Sequence, residues 1–241
     1  MYSKLIKSTI ESPCFSERNG QKVTKITIHH AAGCLSAEAL ASIFKIQRRS
    51  ASCNYAIGIE GDIIGVVPEE KRSWCSGSRW NDEQAITIEV SNSSGKPSWE
   101  IGEKAMKSLI KLCADICKRY DITPYFDGTT RASMTFHCMY QATECPGPYI
   151  KNHIHDIIRD IKDEMCNNKE NVSEVEKPAS DSFLVKVTCN CLNIRRGPGA
   201  KYKIVGEITE KGVYTIIETN GKWGRLKSGA GWICLDYTER K

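Results

Sequence analysis

No run of about 18 apolar residues occurs anywhere in the 241-residue chain, so no transmembrane helix is expected. The opening stretch, MYSKLIKSTIESPCFSERNG, has no apolar core, and no secretory signal is expected from it. That implies a chain made and folded in a cytosol, or one that leaves it by another route. No CxxC pair appears among the twelve cysteines, and a disulfide framework would be unusual in a reducing compartment. Most of these thiols are therefore expected to be small buried side chains, Cys34, Cys53, Cys113 and Cys117 among them. There is no internal repeat and no nucleic-acid recognition motif, so nucleic acid is not an expected partner.

Apolar residues make up 40% of the chain and charged residues 26%, which suits packed domains rather than disorder. The net charge is a mild +5, but residues 182–241 hold eleven Lys/Arg against five Asp/Glu. That end is expected to meet an anionic polymer. Residues 164–181, EMCNNKENVSEVEKPASD, are polar and acidic and read as a linker. Three parts follow: a domain over 1–163, a linker over 164–181 and a second domain over 182–241.

The first domain alternates strand and helix signals. KITIHH (25–30) and AITIEV (85–90) read as strands, the latter apolar enough to be central. NYAIGI and DIIGVV (54–67) read as a hairpin around Glu60-Gly61. Residues 36–50 read as a helix capped by Ser36. Residues 100–120 carry Ala105, Leu109, Leu112, Cys113, Ile116 and Tyr120 at helical spacing, and a last helix is expected over about 147–163. The pattern predicts an α/β domain with a mixed sheet flanked by helices. The second domain has short strand signals about every ten residues, punctuated by glycine turns, and predicts a small all-β barrel.

A catalytic zinc commonly has three protein ligands and one open position. Five histidines are present. His153 and His155 stand at i, i+2 on the last helix and do not share a face. His29 and His30 end an apolar strand, where an apolar residue would be expected, and His137 ends another. A lone histidine there would be structural. With Cys145, eight positions beyond His137 in TFHCMYQATECPGP, the set reads as a metal site on a sheet rim. Strand alternation puts only one of His29 and His30 on the metal side. Glu89 breaks the otherwise apolar AITIEV strand, and a buried carboxylate is costly without a partner.

ITIHHAAG, SWCSG, AITIEV and H-x7-C-P-G, in this order and spacing, resemble the zinc-dependent N-acetylmuramoyl-L-alanine amidases of the type 2, peptidoglycan-recognition-protein-like family, over nearly all of residues 15–163. The resemblance implies Zn2+ held by His29, His137 and Cys145, with His30 the alternative to His29. It implies Glu89 as general base, with Tyr55 the alternative for that role or a substrate contact, and otherwise an aromatic lining the sheet. Thr143 would face the developing oxyanion or cap its loop, and Trp74 would contact glycan or peptide or lie in the core. Cys75 stands where relatives often have histidine. LNIRRGPG, Tyr202, Trp223-Gly224 and GWICLDY resemble bacterial SH3-like modules that bind peptidoglycan. The two resemblances together imply a phage endolysin of a Gram-positive, Clostridium-like host, binding peptidoglycan through both domains. Such an enzyme would stay in the host cytoplasm until holin-dependent release. A non-catalytic peptidoglycan-binding protein and a bacterial autolysin are the alternatives.

Overall fold

The computed structural model describes residues 1–167, 182–200 and 202–241. The chain divides into two compact units, Met1–Val172 and Ser173–Lys241.

The first unit is built on a mixed six-stranded sheet. Its strands are β1 (Ser8–Thr9), β3 (Lys25–His30), β4 (Tyr55–Ile57), β5 (Ile63–Gly65), β7 (Ala85–Val90) and β8 (Met134–Phe136). They lie in the order β1-β5-β4-β7-β3-β8. A separate two-stranded piece pairs β2 (Phe15–Glu17) with β6 (Lys71–Ser73). β4, β7, β3 and β8 run parallel, while β4 and β5 form the expected antiparallel hairpin. β7 is central, as its composition predicts.

Alternation along these strands separates two faces. Ile26, Ile28, Tyr55, Ile57, Ile86, Ile88, Met134 and Phe136 pack with the buried stripes of α3 (Glu103–Arg119) and α4 (Gly147–Asn167) in one core. The other face is mixed. Ala56 joins the small core under α1 (Ala37–Ile43). Further along, that face is polar: Thr27 and Thr135 share a hydrogen bond at 2.9 Å, and Asn81 of α2 (Arg79–Gln84) donates to Thr27 at 2.9 Å.

Two helices differ from their expected spans. α1 ends at Ile43, followed by a short turn over Gln47–Arg49, instead of continuing to residue 50. Residues 45–50 are all exposed, Ile46 included; with no apolar face to bury, further turns would gain little. α4 runs to Asn167, past the expected end at 163. The remaining linker residues, 168–181, lie outside the described part of the chain.

Tyr55 is a correction. Its strand position places it on the α3/α4 face with no exposure at all. Its hydroxyl donates to Glu69 at 2.5 Å and accepts from the Ser3 amide at 2.7 Å. Glu69, also wholly buried, further accepts from Arg119 through both its oxygens, at 2.5 and 2.7 Å, and from the Tyr120 hydroxyl at 2.9 Å. Tyr55 is therefore a structural residue, neither a base nor a substrate contact. The cysteines also depart from expectation: all twelve are free, and only Cys14, Cys53, Cys113, Cys117 and Cys145 are buried, while Cys34 is exposed.

The second unit is a seven-stranded sheet of β9 (Phe183–Val187), β10 (Leu192–Arg195), β11 (Ile204–Ile208), β12 (Val213–Asn220), β13 (Trp223–Leu226), β14 (Trp232–Cys234) and β15 (Thr238–Arg240). Its pairings are all antiparallel, in the order β11-β10-β14-β13-β12-β9-β15. The core is aliphatic, from Val185, Val187, Leu192, Ile216, Leu226 and Ile233, whereas Trp223 and Trp232 are only half-buried.

Two stability outcomes follow. Glu69→Ala leaves Arg119, Tyr55 and Tyr120 without their common acceptor, and should cost about 2–4 kcal/mol, a little under a fully buried pair because Arg119 keeps some solvent contact. Tyr55→Phe should cost about 1–3 kcal/mol. Both are read as shifts of the first unit's urea unfolding transition in the full chain.

Candidate metal centre

The parallel register does most of the placing. His29 on β3 lies opposite Glu89 on β7, and Ile28 lies opposite Phe136, the last residue of β8. His137 therefore follows one step beyond β8, in a short turn over His137–Met139. By alternation His29, Glu89 and His137 share the polar face, at the carboxyl ends of parallel strands, where open sheets place their ligands. The His29 and His137 rings lie with centroids 4.8 Å apart, tilted 49° to each other.

Cys145 reaches the same point from the loop before α4. Its Sγ lies 3.7 Å from His29 Nδ1 and accepts from the His30 amide at 3.4 Å. The Cys138 amide bonds the Cys145 carbonyl, and the Cys145 amide donates to the Thr143 hydroxyl at 3.3 Å. Gly147, at φ +82°, turns the chain into α4; a Cβ there would stand 3.1 Å from the His30 ring and 3.0 Å from Trp99 Cβ. His30 thus packs away from the cluster, edge-on to Trp99.

The ligand atoms of His29, His137 and Cys145 all lie within 4.8 Å of one another. Their chemistry fits a soft to borderline dication such as zinc. Burial holds His29 well below the usual histidine range and lowers His137, which favours the neutral, ligating form of both imidazoles. Burial, with the Glu89 charge adding to it, pushes the Cys145 thiol up. That thiol ionises readily only beside a cation. His29 Nε2 is buried with no hydrogen-bond partner.

Glu89 stands beside this set, with Oε1 3.9 Å from His29 Nδ1 and Oε2 buried and unpartnered. Burial raises its carboxyl to about 8, and the charge of Arg49 pulls the other way. A cleft of about 230 Å³ opens onto these groups, lined by His30, Arg49, Trp74, Cys75, Glu89 and His137 among others. Trp74 forms part of this wall, its indole NH donating to Ser16 at 3.1 Å. Thr143 is exposed on the loop opposite. A larger cleft, about 740 Å³, lies near the start of β3 beside Arg18 and Glu69. Their polar groups are already bonded: the Arg18 guanidinium donates to the carbonyls of Glu69, Asp82, Glu83 and Ala85.

The structure thus brings His29, His137, Cys145 and Glu89 together, sets Trp74 in the cleft wall, leaves Thr143 exposed on the loop before Cys145, and excludes Tyr55. It also brings in Cys75, which no motif points to as a donor: its Sγ is 3.9 Å from Glu89 Oε1. Two oxygens of buried Asp82 fix that loop by accepting from the Cys75 and Ser76 amides.

The family model described as N-acetylmuramoyl-L-alanine amidase matches residues 19–148. No curated protein matches the sequence. Among solved structures, the Staphylococcus aureus hydrolase AmiA, in complex with its ligand, superposes with a TM-score of 0.53 at 18% identity, covering 72% of this chain and 90% of that one. The PlyG catalytic domain gives 0.52 at 17% identity, covering 70% and 99%. A mutant endolysin from Bacillus subtilis gives 0.50 at 18% identity, covering 67% and 99%. At such identities these superpositions establish the shared fold, while the family model spans more than half of the sequence. The chain belongs to the N-acetylmuramoyl-L-alanine amidase family.

Proposed function

We propose that the chain is a zinc-dependent peptidoglycan hydrolase that cleaves the amide between N-acetylmuramic acid and the L-alanine of the stem peptide. The observation that carries this reading is the convergence of His29, His137 and Cys145 donors within 4.8 Å of one another beside Glu89, one of whose carboxylate oxygens is buried and unpartnered. Zinc held by those three residues would supply a Lewis acid for the scissile carbonyl and acidify a water.

The chain's own groups supply the rest. Glu89 faces the cleft with an unpartnered oxygen, fit to take a proton from water and return it to the leaving amine. The Thr143 hydroxyl accepts from the Cys145 amide, and its own hydrogen can be donated to a developing oxyanion. Trp74 offers an aromatic wall to sugar or peptide. The second unit would hold the enzyme on the wall: a cleft of about 420 Å³ there is lined by Arg195, Trp223 and Tyr237. An amidase joined to a basic β unit fits a phage endolysin that stays in the cytoplasm of a Gram-positive, Clostridium-like host until a holin opens the membrane. A bacterial autolysin would use the same chemistry.

The test uses purified wild type, Cys145→Ser and Glu89→Gln, with zinc measured by elemental analysis and new N-terminal L-alanine measured after incubation with Gram-positive walls. Wild type should hold about one zinc per chain, as a three-ligand catalytic site would, and release L-alanine amines. Cys145→Ser should lose both, while Glu89→Gln keeps the metal and loses about 100- to 10,000-fold in rate. Zinc-free wild type that binds walls and releases nothing would leave a recognition protein instead. For the second unit, Tyr237→Ala should weaken co-sedimentation with walls while hydrolysis of a soluble muropeptide is unchanged.

A further inference from the structure

The cleft holds a second donor set. His29, Cys75 and Glu89 also place their ligand atoms within 4.8 Å of one another. Glu89 Oε1 is 3.9 Å from His29 Nδ1 and 3.9 Å from Cys75 Sγ. Tetrahedral zinc, with bonds of about 2.3 Å to sulfur and about 2.0–2.2 Å to nitrogen or oxygen, sets its donors roughly 3.3–3.7 Å apart. The two Glu89 separations need to shorten by only a few tenths of an ångström, and His29 and Cys75, within 4.8 Å of each other, must close in with them to hold an ion. Two further observations mark it as more than a chance contact. Glu89 Oε2 is buried with no partner, and the Cys75 backbone is fixed by the buried carboxylate of Asp82. Cys75 itself is half-exposed and lines the cleft, so an ion can reach it.

We propose that His29, Cys75 and Glu89 form a second seat for a thiophilic dication, cadmium or zinc in excess, and that its occupation excludes the first. The exclusion comes from His29: its Nδ1 is 3.7 Å from Cys145 Sγ and 3.9 Å from Glu89 Oε1, and one nitrogen cannot ligate two ions. On binding, the Cys75 thiol gives its proton to solvent and the thiolate bonds the metal. The seat stands independently of the amidase reading. Its consequence rests on that reading: an ion held on Glu89 Oε1 ties up the carboxylate that hydrolysis needs as its base, so excess zinc inhibits.

The test is a cadmium titration of the full chain, followed by thiolate-to-cadmium charge-transfer absorbance, for Cys145→Ser, Cys145→Ser/Cys75→Ser and Cys145→Ser/Glu89→Gln. Exposed thiols such as Cys34 and Cys191 contribute alike to all three. Cys145→Ser should show one thiolate's absorbance above the Cys145→Ser/Cys75→Ser baseline, with affinity lowered about tenfold or more by Glu89→Gln. Coincident titrations of Cys145→Ser and Cys145→Ser/Cys75→Ser would overturn the proposal. A second arm keeps Cys145: each protein's hydrolysis is expressed relative to its own rate at one equivalent of zinc. Wild type should lose rate as zinc rises and Cys75→Ser should not; equal inhibition of both would also overturn it. Should wild type hydrolyse nothing, the amidase reading fails and the cadmium arm alone decides the seat.

Discussion

The in-register parallel pairing of β3 with β7 is the constraint from which the site follows. It fixes His29 opposite Glu89, and with β8 on the other flank it brings His137 to the next position along. Because side chains alternate, a slip of one residue in either pairing would send one of these groups to the apolar face under α3 and α4. The register is held by what lies behind it. Ile26, Ile28, Ile86, Ile88, Met134 and Phe136 are buried in one core, so any slip that moved the site would also push isoleucines into the polar layer. The hydrophobic face thereby specifies the geometry of the polar one.

That polar face is expensive to build. Thr27, Thr87 and Thr135 sit where a sheet in a two-sided domain would usually carry apolar residues, and Asn54, Ser73 and Asn81 satisfy them. The bonding stops short at the strand ends. His29 Nε2 and Glu89 Oε2 remain buried and unpartnered at the site, as does Asn81 Oδ1 farther back in the layer. Burial is the main cause that lowers the imidazoles and raises the acids, with the Glu89 charge adding to it at Cys145. A cation reverses that balance for the thiol and the carboxyl together, so the deficit in local bonding and the demand for positive charge are one property.

The strands carrying the site could be read from composition and alternation: KITIHH and AITIEV occupy their expected spans, and TFHCM ends in the turn that holds His137. Choosing His29 over His30 needed the facing of β3, because alternation says only that the two differ. Tyr55 misled because its neighbours in the sequence are apolar on both faces; only the pairing Tyr55 with Ile88 and Ala56 with Glu89 shows which side each takes. Cys75 stood out in SWCSG, but its approach to Glu89 was not legible, for another reason. It lies in a loop whose position depends on Asp82, seven residues away and held on a helix that hydrophobic periodicity did not signal. Loop donors of this kind are set by tertiary hydrogen bonds, which leave no period in the sequence.

Two glutamates in the same unit, Glu69 wholly buried and Glu89 half-buried with one buried oxygen, show how function separates from structure without reference to any motif. Glu69 and Glu89 both sit among hydrophobic strands. Glu69 accepts from two tyrosine hydroxyls and both arms of an arginine; its charge is matched where it stands, and nothing further can be asked of it. Glu89 has a distant sulfur, a distant imidazole and one oxygen with no partner. The cost of burying that carboxylate is not recovered within the folded chain. A fold tolerates such a cost where a ligand, a proton or a metal ion completes the bonding, and the cleft in front of Glu89 is where each of these can arrive.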